Sequence, residues 1–134
     1  MPDAITLPGR PELVGMVRQF VARVLTKALV PSAVIDDALL IASEYATNAV
    51  RHSASRDGGD IRLVTDHQAG WARIELHDAG PAATPFVVPK GESDEYGRGL
   101  LVVDELATKW GHDRTPDGGV HWAELEWEST DGQP

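Results

Sequence analysis

The alternation of apolar and polar positions divides the chain into eight elements. Short runs that alternate with period two predict strands, and apolar positions that recur every three or four residues predict helices. Strands are expected at 5–7, 61–64, 72–77, 108–112 and 120–127, and helices from Pro11 to about Leu25, at 33–53 and at 100–107. The order β-α-α-β-β-α-β-β predicts an α+β fold with its helices packed on one face of a mixed, mostly antiparallel sheet.

Two of the connections have distinct characters. Gln68-Ala69-Gly70 is typical of a hairpin, whereas 78–96 is a long stretch with three prolines and an acidic cluster. Long connections inside a compact domain usually carry function or move. We therefore expect one domain over 1–128, with a long surface loop, and a disordered tail over 129–134.

Composition narrows the classes of partner. The chain has 134 residues, with 12 Lys and Arg against 21 Asp and Glu, which gives a net charge of −9. Nucleic acid and anionic membranes are therefore not expected partners, because both require clustered cations. There is no cysteine, no secretory signal and no apolar run of membrane-spanning length, so we expect a cytoplasmic, soluble protein.

The second predicted helix carries three polar residues on one side. Glu44, Asn48 and His52 follow one another at four-residue spacing, within a sector of roughly 80°. Asn48 offers an amide oxygen of the kind that Mg²⁺ accepts, Glu44 can deprotonate a nucleophile, and His52 can contact phosphate. The same trio also fits an ordinary polar flank of a helix, and His52 by itself fits that interpretation better.

A second candidate element follows the alternating strand at 72–77. Asp78-Ala79-Gly80 places a carboxylate where the exocyclic amino group of adenine could donate to it, and Gly80 would let a flat base approach the backbone. Considered alone, Asp and Gly at this position indicate a common turn.

A third candidate element opens the third predicted helix. Gly97-Arg98-Gly99-Leu100 combines the anion-binding backbone of a helix start with glycines that leave room for phosphate. Arg98 adds a fork of donors that suits a terminal phosphate. Glycine pairs are frequent by chance, but the three elements in this order are more specific than any one of them.

Together, the segments 44–52, 78–81 and 97–103 resemble the ATPase superfamily of gyrase, Hsp90, histidine kinases and MutL. The likeness is greatest to the stand-alone anti-sigma factor serine/threonine kinases. It implies a two-layer Bergerat-type sandwich that binds ATP with Mg²⁺ and often forms a homodimer. It also implies a sigma factor and an anti-sigma antagonist as partners, the second of which is phosphorylated on Ser or Thr.

The resemblance assigns a role to most candidate residues. Glu44 would be the catalytic base and Asn48 the Mg²⁺ ligand, whereas His52 stays a nucleotide-contact candidate on its own chemistry. Asp78 and Gly80 would bind adenine. The phosphates would be bound by the loop residues Gly97, Arg98, Gly99 and Leu100, with Arg98 directed to the γ-phosphate.

Two positions depart from the pattern of the resembled family. A second glycine of the adenine loop is replaced by Ala82, and the threonine that supports the adenine-binding Asp is expected to be replaced by Val120. Together the two changes are expected to weaken adenine binding by about one or two neutral hydrogen bonds. A nucleotide-binding anti-sigma or adaptor module without catalysis is therefore the alternative. The catalytic part of a two-component histidine kinase would need a phosphoacceptor domain that 134 residues cannot accommodate.

Overall fold

The computed structural model describes residues 2–52, 59–78, 101–115 and 118–129, without the side chains of His52 and Thr115. Residues 101–106 form a short helix, α3. The other elements are β1 (Asp3–Pro8), α1 (Leu13–Lys27), α2 (Ser32–His52), β2 (Asp60–Gln68), β3 (Trp71–Asp78), β4 (Lys109–Thr115) and β5 (Gly118–Glu126).

The five strands form one sheet in the order β1-β2-β3-β5-β4. Every pairing between the described strands is antiparallel. The expected α+β class is confirmed, and the parallel component that the sequence allowed is not found among these pairs. The physical reason lies in the first connection. Helices α1 and α2 connect β1 to β2, and they bring the chain back to the end of β1 at which they began. Pro8 at the end of β1 therefore pairs with Asp60 at the start of β2, so these two strands are antiparallel.

The core lies between the two long helices and one face of the sheet. Alternate residues of the central strands point to this face, as a pleated strand requires, and those of β2 and β3 are almost fully buried. The helices contribute apolar residues at three- and four-residue spacing. The largest buried side chains of this core are Leu13, Val17, Val21, Leu25, Ile41, Tyr45, Ile61, Leu63, Ile74, Leu76 and Val103.

The hairpin between β2 and β3 closes as the sequence predicts. Gly70 has φ +75, a left-handed conformation that residues with a Cβ rarely adopt. A Cβ at this position would also lie 2.9 Å from the carbonyl oxygen of Trp127. Gly70 therefore lets the end of β5 pack against the turn, where the Trp127 N–H donates to the Gly70 carbonyl.

Several boundaries differ from the prediction: β1 begins at Asp3, β4 continues to Thr115 and β5 begins at Gly118. Helix α1 begins at Leu13, not at Pro11, whose carbonyl accepts the N–H of Val14 in the preceding turn. Strand β2 extends to Gln68, well beyond residue 64. Its second half is polar in sequence but pairs in full with β3, so backbone pairing extends the strand past its apolar pattern. No helix among the described residues is long and apolar enough to cross a membrane.

Candidate nucleotide site

The second half of α2 carries the first two candidate residues. Glu44 and Asn48 are half-buried, one turn apart, and each is followed by a buried residue, Tyr45 and Ala49 respectively. Side chains four residues apart lie above one another on the same side of a helix. The two polar groups therefore line one flank beside the apolar stripe, as expected. His52 ends the helix, and its side chain lies outside the described residues.

Tyr45 anchors this part of α2 to the sheet. Its side chain is 1% exposed, and its hydroxyl donates to the backbone carbonyl of Trp122 in β5 at 2.8 Å. The sequence interpretation overlooked Tyr45. The signal was present, because Ile41, Tyr45 and Ala49 follow one another at four-residue spacing along the buried stripe.

Asp78 is the last residue of β3 and points to the helix-covered face. Its side chain is only 8% exposed. The backbone N–H of Gly119 donates to Oδ1 at 3.2 Å, and His121 Nε2 lies 3.9 Å from Oδ2. A Cβ added to Gly119 would lie 3.2 Å from Oδ1, tighter than most real contacts. The opening of β5 therefore surrounds the carboxylate closely.

The expected place of Val120 beside Asp78 is wrong. Asp78 pairs with Gly119, and Val120 pairs with His77 one position earlier in β3. Because successive side chains alternate between faces, Val120 belongs to the face opposite Asp78. The side chain next to Asp78 on the same face is His121. The sequence could not reveal this register, since the two glycines that open β5 carry no apolar pattern.

His121 is a largely buried imidazole between two other rings. Its ring centroid is 5.7 Å from that of His112 in β4, in a stacked arrangement, and 5.4 Å from that of Tyr45. Burial lowers the pKa of His121 below 6.5. The charge of Asp78 raises this pKa in part, whereas His112 and Arg114 lower it further. The imidazole is therefore neutral at pH 7, which leaves the Asp78 carboxylate as an acceptor.

These contacts bring two distant stretches of chain to one end of the sheet. Tyr45 links α2 to β5, and the ring of His121 lies against both Tyr45 and Asp78. The segment of α2 that carries Glu44 and Asn48 therefore lies over the same end of the sheet as Asp78.

Helix α3 is fixed to the core just after the predicted phosphate loop. Val103 is fully buried, and the indole N–H of Trp110 donates to Asp104 Oδ1 at 2.9 Å. The remaining candidates, Gly80, Gly97, Arg98, Gly99 and Leu100, lie outside the described residues, as does Ala82. Their roles in binding adenine and phosphate stay predictions.

The described residues do not form a Mg²⁺ site from protein carboxylates and imidazoles alone. No three His, Cys, Asp or Glu side chains among them lie together as metal ligands would. The amide oxygen of Asn48 is a hard donor of the type that Mg²⁺ accepts beside phosphate oxygens and water. This donor fits an ion that arrives with a nucleotide.

The fold and this end of the sheet define the class of protein. Residues 7–123 match the family described as the histidine kinase-like ATPase domain, and the chain belongs to that family. The expected superfamily is confirmed, and an ATPase domain implies ATP binding. A particular relative is the uncharacterized protein SCO4941 of Streptomyces coelicolor, which is 32% identical over 76 residues, covering 56% of this chain and 71% of that protein.

A solved structure has the same fold. It contains the RsbU and RsbW domains of Rv1364c from Mycobacterium tuberculosis, and it matches with a TM-score of 0.74 at 20% identity. The match covers 94% of this chain and 32% of the other chain, so this chain spans about a third of its length. At this identity the likeness establishes the fold alone.

Proposed function

We propose that the chain is an ATP-dependent protein serine/threonine kinase of the anti-sigma factor type. It would phosphorylate an anti-sigma antagonist and sequester a sigma factor. The observation that carries this proposal is the series of contacts from Tyr45, which follows Glu44 in α2, through the ring of His121 to the buried carboxylate of Asp78. The resemblance to anti-sigma kinases and the likeness in fold to a chain with an RsbW domain support it.

The residues divide the work of binding ATP. Asp78, buried and hydrogen-bonded through Oδ1 to Gly119, would accept the amino group of adenine. Asn48 would contribute its amide oxygen to Mg²⁺, which neutralises part of the triphosphate charge when bound. Gly97, Arg98, Gly99 and Leu100 would receive the phosphates, with Gly80 beside the base, as the resemblance implies. His52 would be a further contact on its own chemistry.

Glu44 is the proposed base of the transfer step. It would take the proton from a Ser or Thr hydroxyl of the antagonist while that oxygen bonds to the γ-phosphorus and the bond to ADP breaks. Its half-buried place one turn from Asn48 sets it beside the proposed metal ligand. A base in this position accelerates transfer without contributing to adenine recognition.

Binding and transfer can be separated by two variants. Asp78→Asn should weaken Mg-ATP binding by roughly 10- to 100-fold in calorimetry, because a charge-assisted hydrogen bond is weakened. Glu44→Gln should leave ATP affinity nearly unchanged and reduce phosphate transfer by about 10² to 10⁴. Radiolabelled ATP and antagonist candidates encoded near this gene supply the transfer assay.

Matched controls lie elsewhere on the surface. Asp66→Asn alters a half-buried carboxylate of β2 that accepts the backbone N–H of His67. Glu12→Gln alters an exposed residue before α1 that makes no side-chain cap. Both should behave as the parent protein. Full transfer activity in Glu44→Gln would remove the proposed base, and absence of ATP binding in the parent would contradict the whole proposal.

One observation favours a second function, a nucleotide-binding anti-sigma or adaptor module without turnover. The residue paired with Asp78 is Gly119, which offers a backbone N–H but no side-chain hydroxyl. ATP binding by the parent, with no phosphate transfer to any antagonist candidate that it binds, would favour this module over the kinase. Size measurements with and without ATP would test the homodimer that the resemblance implies.

A further inference from the structure

The imidazole of His121 occupies a position at which the alternating pattern of β5 predicts an apolar side chain. The next two residues on the same face of β5, Ala123 and Leu125, are buried and apolar. His121 is only 17% exposed, and burying a polar ring at this position is unfavourable unless it interacts with polar groups. The polar group that it faces is the carboxylate of Asp78.

The contact between the two side chains is electrostatic rather than a formed hydrogen bond. The distance from His121 Nε2 to Asp78 Oδ2 is 3.9 Å, longer than a hydrogen bond and short enough for a strong charge–dipole interaction. A neutral imidazole carries one N–H, and a carboxylate nearby favours the tautomer with the proton on Nε2. In that tautomer the ring attracts Oδ2, while the Gly119 N–H binds Oδ1.

The orientation of the ring is itself constrained. His112 stacks on it from β4, and Tyr45 lies against it from α2 while donating its own hydroxyl to the Trp122 carbonyl. A ring that contacts two others has fewer alternative positions, so the direction in which its Nε2 faces the carboxylate is restrained. Two sides of Asp78 are thereby set by β5, one through the backbone and one through a side chain.

We propose that His121 is a positioning residue that fixes the orientation of the Asp78 carboxylate and thereby sets the preference for adenine over guanine. The proposal rests on the nucleotide-binding function proposed above. A carboxylate accepts the 6-amino group of adenine, whereas guanine has a carbonyl oxygen at that position. A carboxylate that can turn is also a good acceptor for the N1–H and 2-amino groups of guanine. Selectivity therefore depends on preventing that turn.

Two substitutions and one control test the proposal in the full chain. His121→Ala removes the ring, and His121→Gln keeps a side-chain donor near Asp78. As the control, His67→Ala removes a half-buried imidazole of β2 that lies near the opposite end of the sheet from Asp78. For each protein, calorimetry gives the Kd of Mg-ATP and of Mg-GTP, and thermal unfolding gives the Tm.

The ratio of the two affinities is the decisive quantity. In His121→Ala we expect ATP binding to weaken about 3- to 10-fold, the equivalent of one neutral hydrogen bond, and the ATP-to-GTP preference to fall by at least as much. His121→Gln should recover most of the preference, and the control His67→Ala should keep it. An unchanged preference in His121→Ala, with a lower Tm alone, would overturn the proposal and leave His121 a packing residue.

A pH series gives a second readout that does not depend on the alanine variant folding. The titratable groups facing His121 are Asp78 from β3, His112 and Arg114 from β4, and Tyr45 from α2. Because the pKa of His121 lies below 6.5, the ring gains its charge only as the pH falls below that value. The charged ring would then compete with the adenine amino group for Asp78.

The parent should therefore lose ATP-to-GTP preference only as the pH falls below 6.5, and His121→Gln should lose much less. The ratio of the two nucleotides cancels the titration of the phosphates themselves. Parallel profiles in the two proteins would contradict the proposal. If the parent binds ATP and every variant keeps the parent's preference, only the role of His121 is refuted. If the parent binds no ATP, the nucleotide function and this role are refuted together.

Discussion

The two faces of the central strands β3 and β5 differ sharply in chemistry. The face under the helices is apolar over most of its length, with Ile74, Leu76 and Ala123 almost fully buried, and becomes polar only at the end where Asp78 and His121 meet. The opposite face, called the outer face below, carries Trp71, Arg73, Glu75, His77, Trp122 and Glu124. One pair of strands therefore supplies both the core and a charged surface.

Arg73 holds the outer face together. Its guanidinium hydrogen-bonds Glu75 at 2.7 Å and Glu124 at 2.5 Å, and it lies 4.5 Å above the ring of Trp122. The indole N–H of Trp71 donates to the second oxygen of Glu124. The outer face thus satisfies its charged groups through one another, whereas the helix-covered face depends on exclusion of water. The comparison shows that β5 keeps its proposed site and its surface network on opposite sides.

The largest expected effect comes from the helix-covered face. Ile74→Ala should lower the free energy of unfolding by about 2–5 kcal/mol, because it removes buried methyl and methylene groups and leaves a cavity. Val64→Ala is the matched control, since Val64 is a half-buried residue of the outer face that pairs with Glu75 in the neighbouring strand. We expect it to cost less than about 1 kcal/mol. Urea unfolding of both variants measures the difference, and equal losses would contradict the assignment of the two faces.

A smaller effect is expected from the network of the outer face. Arg73→Ala should lower the free energy of unfolding by about 1–2 kcal/mol at pH 7, because it leaves two carboxylates without their shared partner. This figure already allows for solvent screening, since the guanidinium is a quarter exposed. Arg62→Ala, an exposed arginine of the neighbouring strand, should cost little. ATP affinity should be unchanged in both, since the proposed site lies on the other face.

Acid provides a signature of the same network. Partial burial opposes ionisation of Glu75, but the hydrogen bonds from Arg73 and His77 outweigh it and lower its pKa below 4.5. The hydrogen bond from Trp71, followed by that from Arg73, lowers the pKa of Glu124. Groups with a lowered pKa stabilise the fold above about pH 4.5 and lose that contribution as the pH falls through their folded values. The parent should therefore lose more stability than Arg73→Ala between pH 5 and 3, and equal losses would contradict the network.

The sequence was sufficient for the parts of the fold that follow from periodicity. The apolar spacing in α1 and α2 and the alternation in β3 predicted those elements, and the flank with Glu44 and Asn48 followed from helical geometry. These features are local: they depend on the direction of each side chain along one element. The family could likewise be inferred in part from such elements, because the motif at 44–52 lies on α2 and Asp78 ends β3.

The parts that failed depend on how strands align. Register between β3 and β5 decides whether Gly119 or Val120 lies opposite Asp78, and the glycines that open β5 supply no hydrophobic pattern to fix it. For the same reason His121 had no predicted role. The length of β2 was underestimated because its polar half is held by pairing with β3 rather than by apolar side chains. Sequence alone predicts the faces of elements better than it predicts their partners.

The smallest predicted effect concerns the one polar side chain among the described core residues, and it should be stabilising. Thr65 lies on the helix-covered face of β2 with 0% exposure, and its Oγ1 has no hydrogen-bond partner in the described part of the chain. A buried hydroxyl without a partner destabilises the fold by about 1 kcal/mol, so Thr65→Val, which keeps the shape, should raise the free energy of unfolding by about that amount. Thr65→Ser keeps the hydroxyl and loses the methyl group, so it should lower stability. If the valine variant were instead less stable than the parent, Oγ1 would have a hydrogen-bond partner in solution. The helix-covered face would then also be stabilised by a polar contact, and its contrast with the outer face would be weaker.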